Sequence, residues 1–195
     1  MRRQTLALSA LILGAALLTP VQAQDADRTV ADGGIKVEGW KGRVDRRPAS
    51  QGKTIKDSKL TAEGGNLRFS VGPAGNFWNP ANTLSGNYEV MATFKEHKMA
   101  ASHPHSYGMF IGGRELESDA ETLMYCSVYA NGEATNTVGW RVKDGQASCV
   151  VNGTLVKSLD KGMYVGDDKL TSTDGVYGVR VSHNLELTVS NIMKH

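Results

Sequence analysis

NYEVMATFKE, residues 87–96, decides the class of fold. Tyr88, Val90, Ala92 and Phe94 alternate with Glu89, Met91, Thr93 and Lys95, and that period of two belongs to a strand with one buried face. The same alternation recurs on both sides of it. LRFSV places Leu67, Phe69 and Val71 on one side, MYCSV places Met124, Cys126 and Val128, and NLELTVSNI places Leu185, Leu187 and Val189. Beyond the leading apolar segment nothing sustains a roughly 3.6-residue stripe behind a capping residue, so helices do not organise this chain. Between the alternating runs stand Gly64-Gly65, Gly112-Gly113, Asn131-Gly132, Asp144-Gly145, Asn152-Gly153 and Asp174-Gly175, residues suited to turns that need positive φ. SCVVNGTLVKS is the sharpest instance: Asn152-Gly153 sits between β-branched runs, as in a two-residue hairpin. Asn152-Gly153-Thr154 is also a glycosylation sequon, read here as turn chemistry. About ten short strands at this spacing predict an all-β protein, a two-layer jelly-roll sandwich rather than an open sheet with exposed edges.

The N-terminal end has a different character. MRRQTLALSALILGAALLTPVQAQ carries Arg2 and Arg3, an apolar run from Leu6 to Leu18, and small residues up to Ala23, the layout of a secretory leader over residues 1–23. No other segment approaches the roughly 20 apolar residues of a spanning helix, so no membrane span is expected and the destination is the periplasm or the medium. Residues 24–34, rich in Asp, Ala and Gly, predict a loose lead-in, and residues 35–195 one sandwich domain. The full chain has 22 Lys+Arg, 20 Asp+Glu and a net charge of +2; loss of Arg2 and Arg3 with the leader brings it to zero. Phosphate binding ordinarily shows as a basic excess, so a nucleic-acid partner is excluded on charge.

Four groups of residues carry candidate chemistry. Cys126 and Cys149 each lie in an apolar alternating run, and an oxidising compartment permits a disulfide, the alternative being two buried thiols on separate strands. His97, His103 and His105 fall close together, and in an extended chain His103 and His105 project to the same side of Pro104. That pair is the candidate for metal ligation, with Glu96 the only nearby carboxylate. A third ligand is needed and none is in view, so a polar loop ahead of the strand Tyr107–Ile111 is the preferred reading, with no metal and no other cofactor. Glu115, Glu117, Asp119 and Glu121 alternate in RELESDAETL; as a strand they would share one face, where a glycosidase places its two carboxylates. A solvated loop after Gly112-Gly113 is the preferred reading, because the intervening Leu116, Ser118 and Ala120 are too weakly apolar for a buried strand. Trp78, Tyr107, Tyr125, Tyr129 and Trp140 supply flat rings of the kind that stack on pyranose faces, Tyr125 and Tyr129 on the side of their strand opposite Cys126. There is no Gly-x-Ser-x-Gly elbow and no glycine-rich phosphate loop opening a helix.

GNLRFSVGPAGNFWNP, SGNYEVMATFKE, HPHSYGMFIGGREL, VNGTLV and TDGVYGVRVSHNLELTVSNI together resemble small secreted bacterial proteins of the concanavalin-A-like lectin/glucanase superfamily. The resemblance lies near the 3-keto-disaccharide hydrolase-type domain of unknown function and covers Lys36 to Ile192. It implies a jelly roll of two curved antiparallel sheets whose concave face holds glycan. Laminarinase-like members carry their acid/base apparatus on a Glu-x-Asp-x-x-Glu strand. Here Glu117-Ser118-Asp119-Ala120-Glu121 brings the last acid one position early, so catalysis is not transferred. The crossing from Asn131–Thr135 to the strand around Cys149 is also shorter than the resemblance implies.

The resulting expectation is a carbohydrate-binding module whose concave sheet is lined by Tyr107, Tyr125 and Tyr129, with Trp78 and His105 near its rim. The alternative is a glycoside hydrolase using Glu115, Glu117, Asp119 or Glu121 with a histidine partner. An envelope interaction protein without a sugar ligand is the third reading.

Overall fold

The structure is a computed structural model that describes residues 25–97, 103–129 and 132–195; the leader lies outside them. In chain order the strands are β1 (Gly34–Ile35), β2 (Lys41–Val44), β3 (Lys59–Glu63), β4 (Asn66–Val71), β5 (Gly75–Leu84), β6 (Tyr88–Glu96) and β7 (Ser106–Arg114). They continue with β8 (Thr122–Tyr129), β9 (Thr135–Lys143), β10 (Gln146–Val151), β11 (Thr154–Asp160), β12 (Gly175–Val181) and β13 (Leu185–Lys194). The helices are short, α1 (Arg46–Ser50) and α2 (Lys161–Tyr164), with a 3₁₀ turn at Ile55–Asp57. Two sheets form: an eight-stranded one in the order β1-β3-β4-β13-β6-β9-β10-β11, and a five-stranded one in the order β2-β5-β12-β7-β8. Every pairing is antiparallel except β1 with β3. The architecture is the jelly-roll sandwich that the alternation predicts.

The period of two becomes the core. Phe69, Val90, Phe94 and Leu187 from the larger sheet, with Phe77, Tyr107, Met109, Ile111 and Val179 from the smaller, are fully buried. Each such apolar side chain contributes about 1.5–3 kcal/mol on leaving water. Phe69 and Phe77 meet edge to face across the layers, ring centres 5.2 Å apart. The buried Trp140 on β9 spans the same gap and donates its indole N–H to the carbonyl of Met109 on β7 at 3.0 Å. Cys126 on β8 and Cys149 on β10 are joined, with Cα atoms 5.4 Å apart, so a covalent link also crosses between the sheets.

The turns obey their residues. Asn152 and Gly153 adopt φ of 50° and 76° between the paired Val151 and Thr154, the double positive φ of a tight hairpin. Asp144-Gly145 does the same between β9 and β10, so the short crossing to Cys149 is a plain hairpin that sets Cys149 opposite Trp140.

The N-terminal lead-in corrects an expectation. Residues 25–33 carry no strand, yet they are tied down rather than loose. Arg28 donates to the carbonyls of Val71 and Leu185 and to the Glu186 carboxylate, Asn184 accepts the Arg28 backbone N–H at 2.9 Å, and Asp27 bonds His183. Composition shows mainly small and acidic residues there; apart from Val71, the anchoring groups lie more than 150 positions away, on the turn before β13 and the start of that strand. Among the described residues no helix is long and apolar enough to cross a membrane.

Candidate functional site

Strand register arranges the outward side chains of the five-stranded sheet into rows. Pairing of β2, β5, β12, β7 and β8 lines up Arg43, Asn76, Arg180, Gly108 and Ser127. One step along, the row is Lys41, Trp78, Gly178, Phe110 and Tyr125. One step the other way, Ser106 pairs with Tyr129, and backbone bonds from Asp45 to Ala74 and from Ser182 to Ser106 continue the ladder. These outward positions alternate with the core-facing Val44, Phe77, Val179, Tyr107 and Cys126.

The first row is polar and tightly organised. Arg180 makes a two-pronged ion pair with Asp45, both N···O distances 2.5 Å, a fork geometry that fixes both groups. Asn76 lies 3.5 Å from the same guanidinium and donates to Glu121 at 3.4 Å. Arg43 lies 3.3 Å from Glu121 and donates to the Ser118 carbonyl at 2.6 Å. Gly108 stands between Arg180 and Ser127, where a Cβ would come within 1.9 Å of the Cys126 carbonyl oxygen, so only glycine fits. The Arg180 guanidinium carbon sits 5.6 Å from the centre of the Tyr125 ring, within cation–π range. Asp45, Asn76, Glu121, Tyr125 and Arg180 line an open pocket of about 570 Å³. Asp45 also borders a second pocket of about 580 Å³ at the end of the sheet, which holds Tyr129 and the histidines.

The aromatic residues picked from sequence divide. Tyr125 and Tyr129 stand outward, 53% and 75% exposed. Tyr107 does not, which corrects its placement on the ligand face: in β7 it shares the inward parity of Met109 and Ile111, and it is fully buried. Its hydroxyl donates to the buried Glu96 carboxylate at 2.6 Å and accepts from the Asn136 amide at 2.8 Å. Burial, with Glu96 alongside, pushes its ionisation well above the ordinary tyrosine range. Glu96, at the inward parity of Val90 and Phe94, is a structural acceptor that also takes the N–H groups of Gly132 and Ala134. Trp78 faces outward but is only 3% exposed, because Phe110 and Leu116 pack over it, so it offers no open rim. Trp140 is core.

The acidic cluster is not a strand. Glu115 takes a φ of 50°, Ser118 donates its N–H to the Glu115 carbonyl and Glu121 to that of Ser118, two consecutive turns that break the alternation. The loop is held against the sheet by Leu116 beneath and by ion pairs above, Lys41 to Glu117 at 2.6 Å and Arg43 to Asp119. Glu115, Glu117 and Asp119 are exposed, and only Glu121 reaches the groove. The facing carboxylate pair of a glycosidase is therefore not built from these four residues.

His103 and His105 do converge, with a third imidazole. His183, in the turn between β12 and β13, brings its ring to 4.2 Å from that of His105 and 5.9 Å from that of His103; His103 and His105 are 4.3 Å apart. His105 is buried, at the floor of the pocket rather than at its rim. Burial, then the neighbouring His183 and His103, pulls its pKa down to about 4. Residues that sequence reasoning missed are Asp45, Asn76 and Arg180 of the polar row, and His183. Arg180 alone carried a visible signal, a charged residue inside the alternating run GVYGVRV at the parity opposite Val179 and Val181.

No protein-family model matches the chain, and no curated protein matches it in sequence. Solved structures do match in shape. A Bacillus subtilis protein of unknown function with a galectin-like fold superposes with a TM-score of 0.55 at 11% identity, over 82% of this chain and 90% of its own. Two Parabacteroides distasonis ATCC 8503 proteins, provisionally described as glycosyl hydrolases, give TM-scores of 0.53 and 0.52 at 13% and 10% identity. They cover 80% of this chain, and 87% and 98% of theirs. At these identities the likeness is one of fold alone, a two-sheet jelly roll.

Proposed function

We propose that this chain is a periplasmic or secreted carbohydrate-binding module, and that sugar lies on the outer face of the five-stranded sheet. One observation carries the reading: the half-exposed Tyr125 ring stands beside a hydrogen-bonding array, Arg180, Asp45, Asn76 and Glu121, already fixed by its own contacts. An apolar ring face takes the C–H face of a pyranose, and flanking fixed donors and acceptors take its hydroxyls, at little further ordering cost. Tyr129, four residues on and on the same strand face, extends the platform toward the second pocket. Solved proteins of this fold include two with a provisional hydrolase description, which supports a glycan-related role for the fold without assigning a reaction.

A binding role is favoured over hydrolysis because two of the three acids lining the groove are paired with cations, Asp45 with Arg180 and Glu121 with Arg43, and the third, Asp168, stands exposed at its edge. A glycosidase sets two carboxylates across the scissile bond, and Asp45 and Glu121 are instead each turned onto an arginine. The test is a glycan array of plant, fungal and bacterial sugars, with wild type and Tyr125→Ala side by side, and a hydrolysis screen on the same sugars. Binding that drops about tenfold in the variant, without turnover, supports the module. Absence of binding to every glycan removes it, and turnover replaces it with the hydrolase reading.

A further inference from the structure

Beyond the sugar platform, we infer that His103, His105 and His183 form a binding site for one divalent transition-metal ion, zinc being the probe of choice. The topology makes the cluster. Val181 pairs with Tyr107, and the Ser182 N–H donates to the Ser106 carbonyl at 2.8 Å, which carries the ladder on until His183 comes opposite His105. Pro104 separates His103 from His105, and the extended chain returns both imidazoles to the same place. One nitrogen from each of the three rings lies within 4.8 Å of the others.

Two features set this apart from three histidines that merely crowd. The first is an orphan. His105 is 3% exposed and its Nε2 is buried with no hydrogen-bond partner. A buried polar atom left so destabilises the fold, a cost that a bound ligand would lift. The second is an orienting carboxylate. Asp27 Oδ1 lies 2.9 Å from His183 Nδ1, so in the neutral ring that nitrogen is the donor and Nε2 carries the lone pair. This is the carboxylate–histidine arrangement that supports metal ligands.

The donor set narrows the ion. Three imidazoles without thiolate suit zinc, copper or nickel rather than calcium or magnesium, which want oxygen. Tetrahedral zinc at about 2.0–2.1 Å from each nitrogen needs nitrogens about 3.3 Å apart, so binding draws the rings together from their present spacing. His103 and His183 are only partly buried and can make that adjustment around the fixed His105. The pocket over the cluster also presents Asp25, Asp27, Asp45 and Arg47, with Asp45 engaged by Arg180. Three protein ligands beneath an open pocket leave the fourth position to water or to a ligand oxygen.

The experiment is a calorimetric titration of the chelator-stripped chain with zinc chloride, without sugar, so that its outcome is separate from the glycan reading. One zinc per chain is expected. Affinity should fall by about 100-fold in His103→Ala and in His183→Ala and by about tenfold in Asp27→Asn, and stay unchanged in His97→Ala. His97 serves as control because it lies on the other sheet, bonded to Thr188. Far-ultraviolet circular dichroism verifies that each variant is folded, and the cobalt-loaded wild type should show the visible bands of a four- or five-coordinate imidazole site. Failure of zinc to saturate a single site, binding undiminished in both His103→Ala and His183→Ala, or a cobalt spectrum of the hexaaqua ion overturns the assignment.

Discussion

Reduction of the Cys126–Cys149 bridge should cost this protein about 3.4 kcal/mol, and the figure follows from loop length alone. The bridge closes a loop with a sequence separation of 23, and restoring that chain entropy to the unfolded ensemble gives the estimate. Reduction is a cleaner perturbation than substitution: both cysteines are buried in the core, and two thiols fill nearly the same volume as the disulfide, so no cavity is opened. Urea unfolding curves, approached from the unfolded side with and without reductant at pH 7, measure the difference. In a thermal scan it corresponds to a fall of about 7–14 °C for a domain of this size. The bridge also has a local role, because Cys126 lies on β8, an edge strand of the five-stranded sheet, next to Tyr125. After reduction, amide exchange should quicken in β8 more than in its neighbour β7. A loss below about 1 kcal/mol, or equal acceleration in both strands, would refute the reasoning and leave the layers held by hydrophobic packing and the buried hydrogen bonds of Trp140 and Tyr107.

Three further outcomes follow from named contacts. Tyr107→Phe removes one hydroxyl but leaves two groups wanting, the Glu96 carboxylate and the Asn136 amide, so urea unfolding should show a loss of about 1–3 kcal/mol, against near neutrality for an isolated buried tyrosine. Asp45→Asn strips the partly buried Arg180 of its paired charge; because Asn76, Glu121 and Tyr125 still surround the guanidinium, the loss should be about 2 kcal/mol, below the 3–5 kcal/mol of a fully buried pair, and glycan binding should weaken with it. Asp57 is held below the usual carboxylate range by the Thr54 backbone N–H and then the Thr29 hydroxyl, so its contribution is present above that range and vanishes as pH falls through the folded-state value. The stability gap between wild type and Asp57→Asn should therefore narrow as the pH is lowered from about 5 to 2, and a gap that widens instead contradicts the assignment.

Alternation alone carried the architecture because it is a local property. Phe94, Leu187 and Cys126 announce the buried face of their strands by parity, and Asn152-Gly153 announces its hairpin, with no information from elsewhere in the chain. The same rule, held to consistently, also places Tyr107 inward and Glu96 beside it, since each shares the parity of its apolar neighbours. A tyrosine's aptitude for stacking on sugar does not override that register, and Tyr107 is core. The acidic cluster was legible by the same rule: Leu116, Ser118 and Ala120, standing between the acids, are too weakly apolar to hold a strand on a core, and the segment is the loop that this predicts.

The sites were illegible for a physical reason, which also says where to look for them. A site on a sandwich is a row across strands, and neighbours in that row are set by pairing, which sequence does not print. Arg43, Asn76 and Arg180 stand side by side because β2, β5 and β12 are adjacent, although more than 100 residues separate the last two. His183 joins His105 by the same logic, one step beyond the last paired residues of β12 and β7. Both sites share one sheet and meet at Asp45, which borders both pockets. A ligand long enough to cover Tyr125 and Tyr129 would therefore run toward the histidines, and a metal held there would offer it a Lewis-acidic end. If so, zinc should tighten binding of a longer oligosaccharide while leaving a monosaccharide seated on Tyr125 unaffected. Equal effects on the two would show that the sites act independently.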